Sequence, residues 1–573
     1  MKLQISLAVF LFLVTLPDIA VSQTQNLSVR VVVNSNQDGA IKADDVVTLR
    51  EAIAIVNGTL SIDKLSDREK TQVQSLAAKG TSRIEFNLPS EQNTIQLREI
   101  LPPLTNPGLV IEGTSTPSVT NGTKKSSKAC VTSLTSFPAS RLGMYFERLC
   151  LSSTKRRRSL PEWVPSLQTG NQLGQLGPLG QGQYLNSVPT PTVTITPAYN
   201  SVIFRGLTVA ASNITIRGLS LYGFTSRHGD TASLPPADIF ISPIDIKQPP
   251  PTNVVIENNW LGISPNIIIE TRPPSNSAFG VSVFNGVNTV IQNNRIANHD
   301  GSAIITSVRA ENLLVKNNII TGNGFAGMPD AIRLEGLINN SQIIGNQIDK
   351  NAGSAVYLFK PEGSVKIDSN TIANNGQMLR RAAIYLMGNN HEVINNQISD
   401  QSGPGVVVAA YPPSQGNRIQ NNQFADLKGL SIDLVTQYHV GVQDYQQGDG
   451  ANPVNDTYQR HRKTGNFGID APRFLSPEFF ISTQDGTVVL DGFASPGSVV
   501  EIYRVSEDTE NPGTLNKVIA KVNVNSDGRF SYKSGNLKAG DRFSAIATHP
   551  QYGTSEPAIN VIVRSIDLSK NNH

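Results

Sequence analysis

Along the middle of the chain one arrangement of apolar and polar positions, apolar–x–x–Asn–x–apolar, returns seven times. It occupies 256–261 around Asn259, 291–296 around Asn294, 315–320 around Asn318 and 343–348 around Asn346. It continues at 367–372 around Asn370, 393–398 around Asn396 and 419–424 around Asn422. Successive asparagines lie 35, 24, 28, 24, 26 and 26 residues apart, and the long first interval carries the Pro-rich stretch 264–277. A second alternating segment runs between the motifs, as in Asp330-Ala-Ile332-Arg-Leu334, Ser354-Ala-Val356-Tyr-Leu358 and Leu430-Ser-Ile432-Asp-Leu434. Each repeat therefore holds at least two strands of period two joined by a fixed corner. No segment between motifs shows the 3.6-residue period of an amphipathic helix, which argues against strand–helix units.

A repeat this short hides too little apolar surface to offset the cost of ordering its backbone. The repeats must stack, each coil lending hydrogen bonds to its neighbours and continuing one apolar column. The Asn suits such a stack in two ways. At a corner it tolerates left-handed backbone geometry, and its amide can donate to and accept from the same amide one coil away. The pattern predicts an all-β chain built on a parallel β-helix.

In that arrangement the second strand of each coil sends alternate residues outward. One outward row reads Ser282, Ile305, Arg333, Tyr357, Tyr385, Val407 and Asp433, and the next reads Phe284, Ser307, Glu335, Phe359, Met387, Ala409 and Val435. Coils repeat at about 4.8 Å, comparable to one sugar unit along a polymer. Arg333, Glu335, Tyr357, Phe359 and Tyr385 would then form a patch whose rings stack on sugars and whose charged groups hold hydroxyls or carboxylates. The alternative is that the same patch is covered by another part of the chain.

Before the repeats, Leu27-Ser-Val-Arg-Val-Val-Val33 alternates as a strand and Asp38-Gly39 marks a turn. Thr48-Leu-Arg-Glu-Ala-Ile53 then opens a short helix ending near 57–58, with Thr48 as N-cap and Glu51 completing a capping box. Such a helix would cover the open end of the apolar column. Ile84-Glu-Phe86, Thr94-Ile-Gln-Leu97 and Val110-Ile-Glu112 read as early strands. Val47-Thr-Leu-Arg-Glu-Ala52 resembles the signature of CSLREA-domain proteins, with Val where that family name has Cys. The resemblance continues through Thr94-Ile-Gln-Leu97, Leu101-Pro-Pro-Leu104, Ile111-Glu-Gly-Thr114, Asn259-Trp-Leu-Gly262, Gly429-Leu-Ser-Ile-Asp-Leu434 and Ala547-Thr-His-Pro-Gln-Tyr-Gly-Thr-Ser-Glu556. It implies an exported bacterial protein with a right-handed, pectate-lyase-like β-helix, and it brings no catalytic residue set.

After Leu434 a Gly/Asp/Asn/Gln-rich linker leads to a new alternating series, from Thr487-Val-Val-Leu-Asp-Gly492 to Ala558-Ile-Asn-Val-Ile-Val563. Six or seven short strands with Gly and Pro at the corners suggest an Ig-like β-sandwich. Residues 121–190 carry Cys130, Cys150, the basic run Lys155-Arg156-Arg157-Arg158 and a Gln/Gly/Leu/Pro tract, a composition that argues for a disordered surface insertion. The two cysteines could pair in an oxidising compartment, though the bond would pin only that local segment. The expected division is a signal peptide (1–22), an N-terminal cap with the first coils (23–120), the insertion (121–190), the β-helix repeats (191–435), a linker (436–470) and the sandwich (471–566).

The signal peptide rests on Lys2, the apolar run 7–16 and the small residues of Ala20-Val21-Ser22, a run too short to span a bilayer. No later stretch is long and apolar enough to do so, and a secreted, surface or periplasmic monomer without a membrane anchor is expected. A net charge of +3 without a concentrated basic face speaks against nucleic acid. No zinc spacing, phosphate loop or nucleophile elbow is present. The best acid cluster is Arg333 with Glu335, Asp300 or Asp330, without an Asp-Asp pair. His228-Gly229-Asp230 and His299-Asp300 read as turn residues. The expected partner is extracellular polysaccharide, bound in adhesion or matrix assembly; the alternative is a lyase, epimerase or hydrolase acting on an acidic glycan. No cofactor is predicted, and calcium stays open.

Overall fold

A computed structural model describes residues 28–77, 80–89, 91–114, 188–226, 234–265, 275–436, 446–454, 461–506 and 511–566. The expected signal peptide, Cys130, Cys150, the basic run, His228-Gly229-Asp230 and part of the expected linker lie outside these residues.

Three long sheets wind around one apolar column. The first has twelve strands, from Val73–Ser75 and Val29–Val33 through Val290–Gln292 to Arg418–Gln420. The second has ten, from Thr94–Leu97 to Gln423–Ala425, and the third nine, from Arg205–Val209 to Ile432–Leu434. Every pairing in them is parallel except Val29–Val33 with Val73–Ser75 at one edge. Each coil contributes one strand to each sheet, as in Val290–Gln292, Arg295–Ala297 and Ile304–Glu311. The fold is a right-handed parallel β-helix.

The two apolar positions of the sequence motif face the bore in separate sheets. Ile291, Val315, Ile343, Ile367, Val393 and Ile419 pair in register in the first sheet. Ile296, Ile320, Ile348, Ile372, Ile398 and Phe424 do so in the second. All are buried. The motif Asn sits at the corner between them. Its Nδ2 donates to the Oδ1 of the next Asn, at 3.1 Å for Asn259–Asn294 and 2.9 Å for Asn396–Asn422. The same Oδ1 accepts the backbone N–H of the preceding rung, and each Nδ2 also reaches a carbonyl of the previous coil. Every rung thus satisfies buried backbone that a tight corner would otherwise strand.

The left-handed backbone expected of these asparagines belongs to the residue before each of them. Asn258, Asn293, Asn317, Gly345, Ser369, Asn395 and Asn421 have φ between 54° and 65°. One residue turns the chain and the next bonds along the stack, because a side chain held inward by its ladder bonds cannot also supply the turn.

Residues 115–187 separate Val110–Glu112 of the first sheet from Val193–Pro197 of the second in sequence, and both strands keep their parallel register with their neighbours. At the N-terminal end the helix Leu49–Val56 lays its apolar face on the column. Thr48 and Glu51 form the capping box. Arg50 is forked onto Asp38 at 2.8 and 2.9 Å and reaches the carbonyls of Glu99 and Ile100. The Leu-Arg-Glu-Ala run therefore ties a plug to the first coils.

The C-terminal residues form two sheets sharing one core. Arg473–Phe474, Val488–Phe493 and Arg529–Ser534 make the smaller. The larger is built from Glu478–Phe480, Val561–Arg564, Arg542–His549, Val499–Val505 and Leu515–Asn523, with Gly553–Thr554 at its side. The inner core contains Leu490, Val500, Ile502, Phe530 and Phe543. The opposite face of the larger sheet gives Tyr503, Val505, Leu515 and Ile546 to the apolar column of the β-helix. Last-coil amides are satisfied across this contact: Ile419 N–H donates to Thr554 Oγ1 at 2.8 Å, Asn421 N–H to Glu501 at 2.8 Å, and Leu434 N–H to Glu556 at 3.0 Å. The sandwich is the second plug.

Candidate functional site

The outer face of the third sheet carries the side chains expected to bind. Phe240, Ser282, Ile305, Arg333, Tyr357, Tyr385, Val407 and Asp433 follow one another in register. Their accessibility divides the row in two.

Toward the C-terminal coils the face is closed. Tyr357 is 1% and Tyr385 2% exposed. They pack with Ala382, Met387, Val407, Ala409 and Val435, against half-buried Phe359. Burial pushes the Tyr357 phenol up to about 12 and the Tyr385 phenol further still. The cover comes from two loops: Ala382 N–H donates to the Gln446 carbonyl at 2.7 Å, and Asp449 and Gly450 donate backbone N–H to Asp433. The expectation that Tyr357 and Tyr385 present faces to a sugar is corrected here, since neither ring is reachable. Arg333 is locked as well. Its Nη2 meets Glu335 at 3.2 Å, and its guanidinium lies 4.9 Å from the Tyr357 ring and 4.7 Å from the Phe359 ring. Asp330 leaves the candidate acid cluster, because it is buried and paired with Arg381 at 3.0 Å. Burial raises its pKa, and Arg381 offsets part of the rise.

Toward the N-terminal coils the same face opens into a cleft of about 420 Å³. Phe284, Ile305, Ser307 and Glu335 line its floor from three successive coils, Glu335 just past the strand Ile332–Leu334, while Phe279, Asp300, Met328 and Leu234 line its sides. Asp300 accepts from Asn276 Nδ2 at 2.8 Å. Rings, aliphatic side chains, a hydroxyl and two carboxylates share this one concave surface. The outward-row reading contained Phe284, Ser307 and Glu335; the walls come from loops whose path the repeat pattern does not specify.

His299, expected in a turn, is buried in the wall behind the cleft. It takes the ladder position of a second asparagine row at the next corner, formed by Asn323, Asn351 and Asn375. Its Nδ1 lies 2.9 Å from Asn323 Oδ1 and its Nε2 2.9 Å from Asp238 Oδ2. Ser277 donates to the same Asp238 carboxylate. Burial raises the Asp238 pKa, with His299 and Ser277 offsetting part. The serine hydroxyl serves the aspartate and not the imidazole, so the trio holds the wall and does not form a nucleophile–base pair. Gly262 makes room for it: a Cβ there would lie 2.6 Å from His299 Cε1 and 1.9 Å from the Ala297 carbonyl. This second ladder was readable as apolar–x–x–Asn in Ile320-Thr-Gly-Asn323, Ile348-Asp-Lys-Asn351 and Ile372-Ala-Asn-Asn375.

Among the described residues no group of three His, Cys, Asp or Glu side chains gathers as a metal set, and no helix is long and apolar enough to cross a membrane.

With this geometry in place, the chain matches the family description "Right handed beta helix region" over residues 206–387 and 337–445. No curated protein sequence matches it. Among solved structures it is similar to the surface protein and adhesin PfbA of Streptococcus pneumoniae, at 17% identity over 42% of this chain and 68% of that one, with a TM-score of 0.30. It is also similar to the catalytic unit of the GH87 α-1,3-glucanase of Streptomyces thermodiastaticus, at 13% identity over 42% of this chain and 46% of that one, with a TM-score of 0.31. The A-module of the Azotobacter vinelandii mannuronan C-5 epimerase AlgE4 is 15% identical over 46% of this chain and 81% of that one, with a TM-score of 0.26. At such identities a shared activity does not follow.

Proposed function

We propose that this is a secreted or cell-surface protein, acting as a monomer, that binds extracellular polysaccharide in the cleft on the third sheet. The observation that carries this reading is the cleft itself. It crosses three coils at a spacing near one sugar unit, and it sets the Phe279 and Phe284 rings beside Ser307, Asp300 and Glu335. The apolar start of the chain and the likeness of 47–52 to exported CSLREA-domain proteins support an extracellular setting, and the sandwich reads as an Ig-like module adapted as an end plug. No cofactor is required for binding of this kind, and calcium remains to be tested by chelation.

The test is affinity electrophoresis of the purified protein in gels holding a panel of neutral and acidic polysaccharides. The protein should be retarded by at least one, and Phe284→Ala should weaken that retardation about tenfold, the value of one ring–sugar stack of ~1–1.5 kcal/mol. A folded Phe284→Ala variant retarded like the parent would exclude the cleft. A second reading, glycan cleavage, draws on the two carboxylates Asp300 and Glu335 lining the same cleft, the residue types a hydrolase needs. Appearance of reducing ends or of unsaturated product, lost in Asp300→Asn and Glu335→Gln, would favour it.

A further inference from the structure

Arg205 opens the first strand of the third sheet, Arg205–Val209, two strands beyond the one that carries Phe284 on the cleft floor. Its guanidinium lies 3.9 Å from the centre of the Phe240 ring and 5.1 Å from that of Phe204. Phe240 in turn packs against Phe284, on the cleft floor, at 5.7 Å. The group is half-buried, its Nε has no hydrogen-bond partner, and no carboxylate pairs with it among the described residues. Arg50, Arg217, Arg333 and Arg381 each meet an acid, at Asp38, Glu112, Glu335 and Asp330. Partial burial without a counter-charge disfavours the cation and lowers its pKa. The Phe240 ring holds the guanidinium in place while supplying no hydrogen-bond acceptor. A guanidinium held this way, without an acid of its own, leaves its donors for the planar, bidentate geometry of a carboxylate.

We propose that Arg205 reads a carboxylate on the bound polymer, so that the cleft selects a uronate-bearing glycan over a neutral one. This rests on the polysaccharide reading above. The acids nearby do not compete for the position: Asp300 is engaged by Asn276 and Glu335 by Arg333. Four coil steps separate the strands of Arg205 and Arg333, roughly 19 Å, so an acidic oligosaccharide of about four units would run from Arg205, across the strand that carries the buried Phe240, to Phe284 and Ser307.

The experiment compares polymers differing only in that charge: polygalacturonate, alginate and hyaluronan, each against its methyl-esterified form, by affinity electrophoresis at constant salt. The parent protein should bind at least one acidic form about tenfold more tightly than its ester. Arg205→Gln, with an unchanged melting temperature, should erase that preference and leave ester binding as it was, and Arg205→Lys should restore only part of it. Equal binding of acid and ester, or a preference that survives Arg205→Gln, overturns the inference; if Phe284→Ala still weakens both forms, the cleft reading stands. Absence of binding to every polymer, neutral ones included, overturns both.

Discussion

The contact between the last coil and the sandwich should respond to pH through Glu556. This carboxylate is 4% exposed. It accepts Leu434 N–H at 3.0 Å, Asn452 N–H at 2.7 Å and Asn452 Nδ2 at 2.9 Å. Burial raises its pKa from 4.5 to about 7; the bonds from Asn452 and Leu434 oppose that rise, and Asp449 adds to it. Asp433, also buried, is raised well above its usual value by burial and by the negative charge of Glu556 and Asp449. The folded chain therefore holds the Glu556 proton more tightly than the unfolded chain does. The resulting stabilisation is complete below about pH 4.5 and is lost as pH rises through 7. A rise of this size is worth roughly 3 kcal/mol. With an unfolding entropy near 2.1 cal/mol/K per residue, a cooperative unit of about 400 residues moves ~4 °C for that energy. Melting followed by circular dichroism from pH 5 to 8.5 should show a downward trend in the parent that Glu556→Gln makes shallower, the part due to buried Asp433 remaining. The variant should start slightly lower at pH 5, because its amide cannot accept both Asn452 donors, and finish higher at pH 8.5. It should also let Asp433 ionise more easily. Parallel curves for parent and variant over the whole range would refute the argument.

Asn370→Ala should cost about 2–4 kcal/mol in urea unfolding, because it strands the Asn346 backbone N–H inside the wall and removes the Nδ2 donor from the Ile343 carbonyl, while Asn396 Oδ1 keeps the backbone N–H of residue 370. Ser369→Gly, one residue earlier, should stabilise by about 1 kcal/mol in the same assay, since Ser369 holds φ at 56° without a glycine's freedom. Arg381→Met should destabilise by about 3–5 kcal/mol by leaving Asp330 charged and buried, and adding Asp330→Asn should recover most of the loss.

The β-helix was legible because its determinants are local and repeated. The alternation around Ile291 and Ile296 gives the strands, and the recurrence of Asn294, Asn318 and Asn346 gives the register, since a slip of one residue would turn every bore-facing side chain outward. The outward row from Ser282 to Asp433 followed from that register alone. What covers the row was not legible. Tyr357 and Tyr385 look like surface aromatics to any argument drawn from strand parity, and the loops that bring Ala382, Gln446 and Gly450 over the face bury them. The same limit applied to the division of labour at each corner. Pattern alone gave Asn as both turn and rung, whereas Gly345 and Ser369, in the turning position of two coils, already carry the signal that the two tasks are separate.

Both ends of the column obey one physical requirement that a repeat pattern leaves unstated. A stack of coils has unpaired amides and an exposed apolar bore at its last rung. At the first end the plug is the helix after Thr48. At the other it is a sheet whose inner face serves the sandwich and whose outer face, through Tyr503, Leu515 and Ile546, serves the bore. A strand apolar on both faces is the trace of that double service in the sequence, and Phe543-Ser-Ala-Ile546-Ala-Thr548 has that composition. The sandwich and the solenoid should therefore unfold together, and a chain ending near residue 435 should expose the bore at Ile419, Phe424 and Ile432. Dye binding to exposed apolar surface should rise in that truncation, and a truncated chain as stable and as silent to dye as the whole would show that the plug is dispensable.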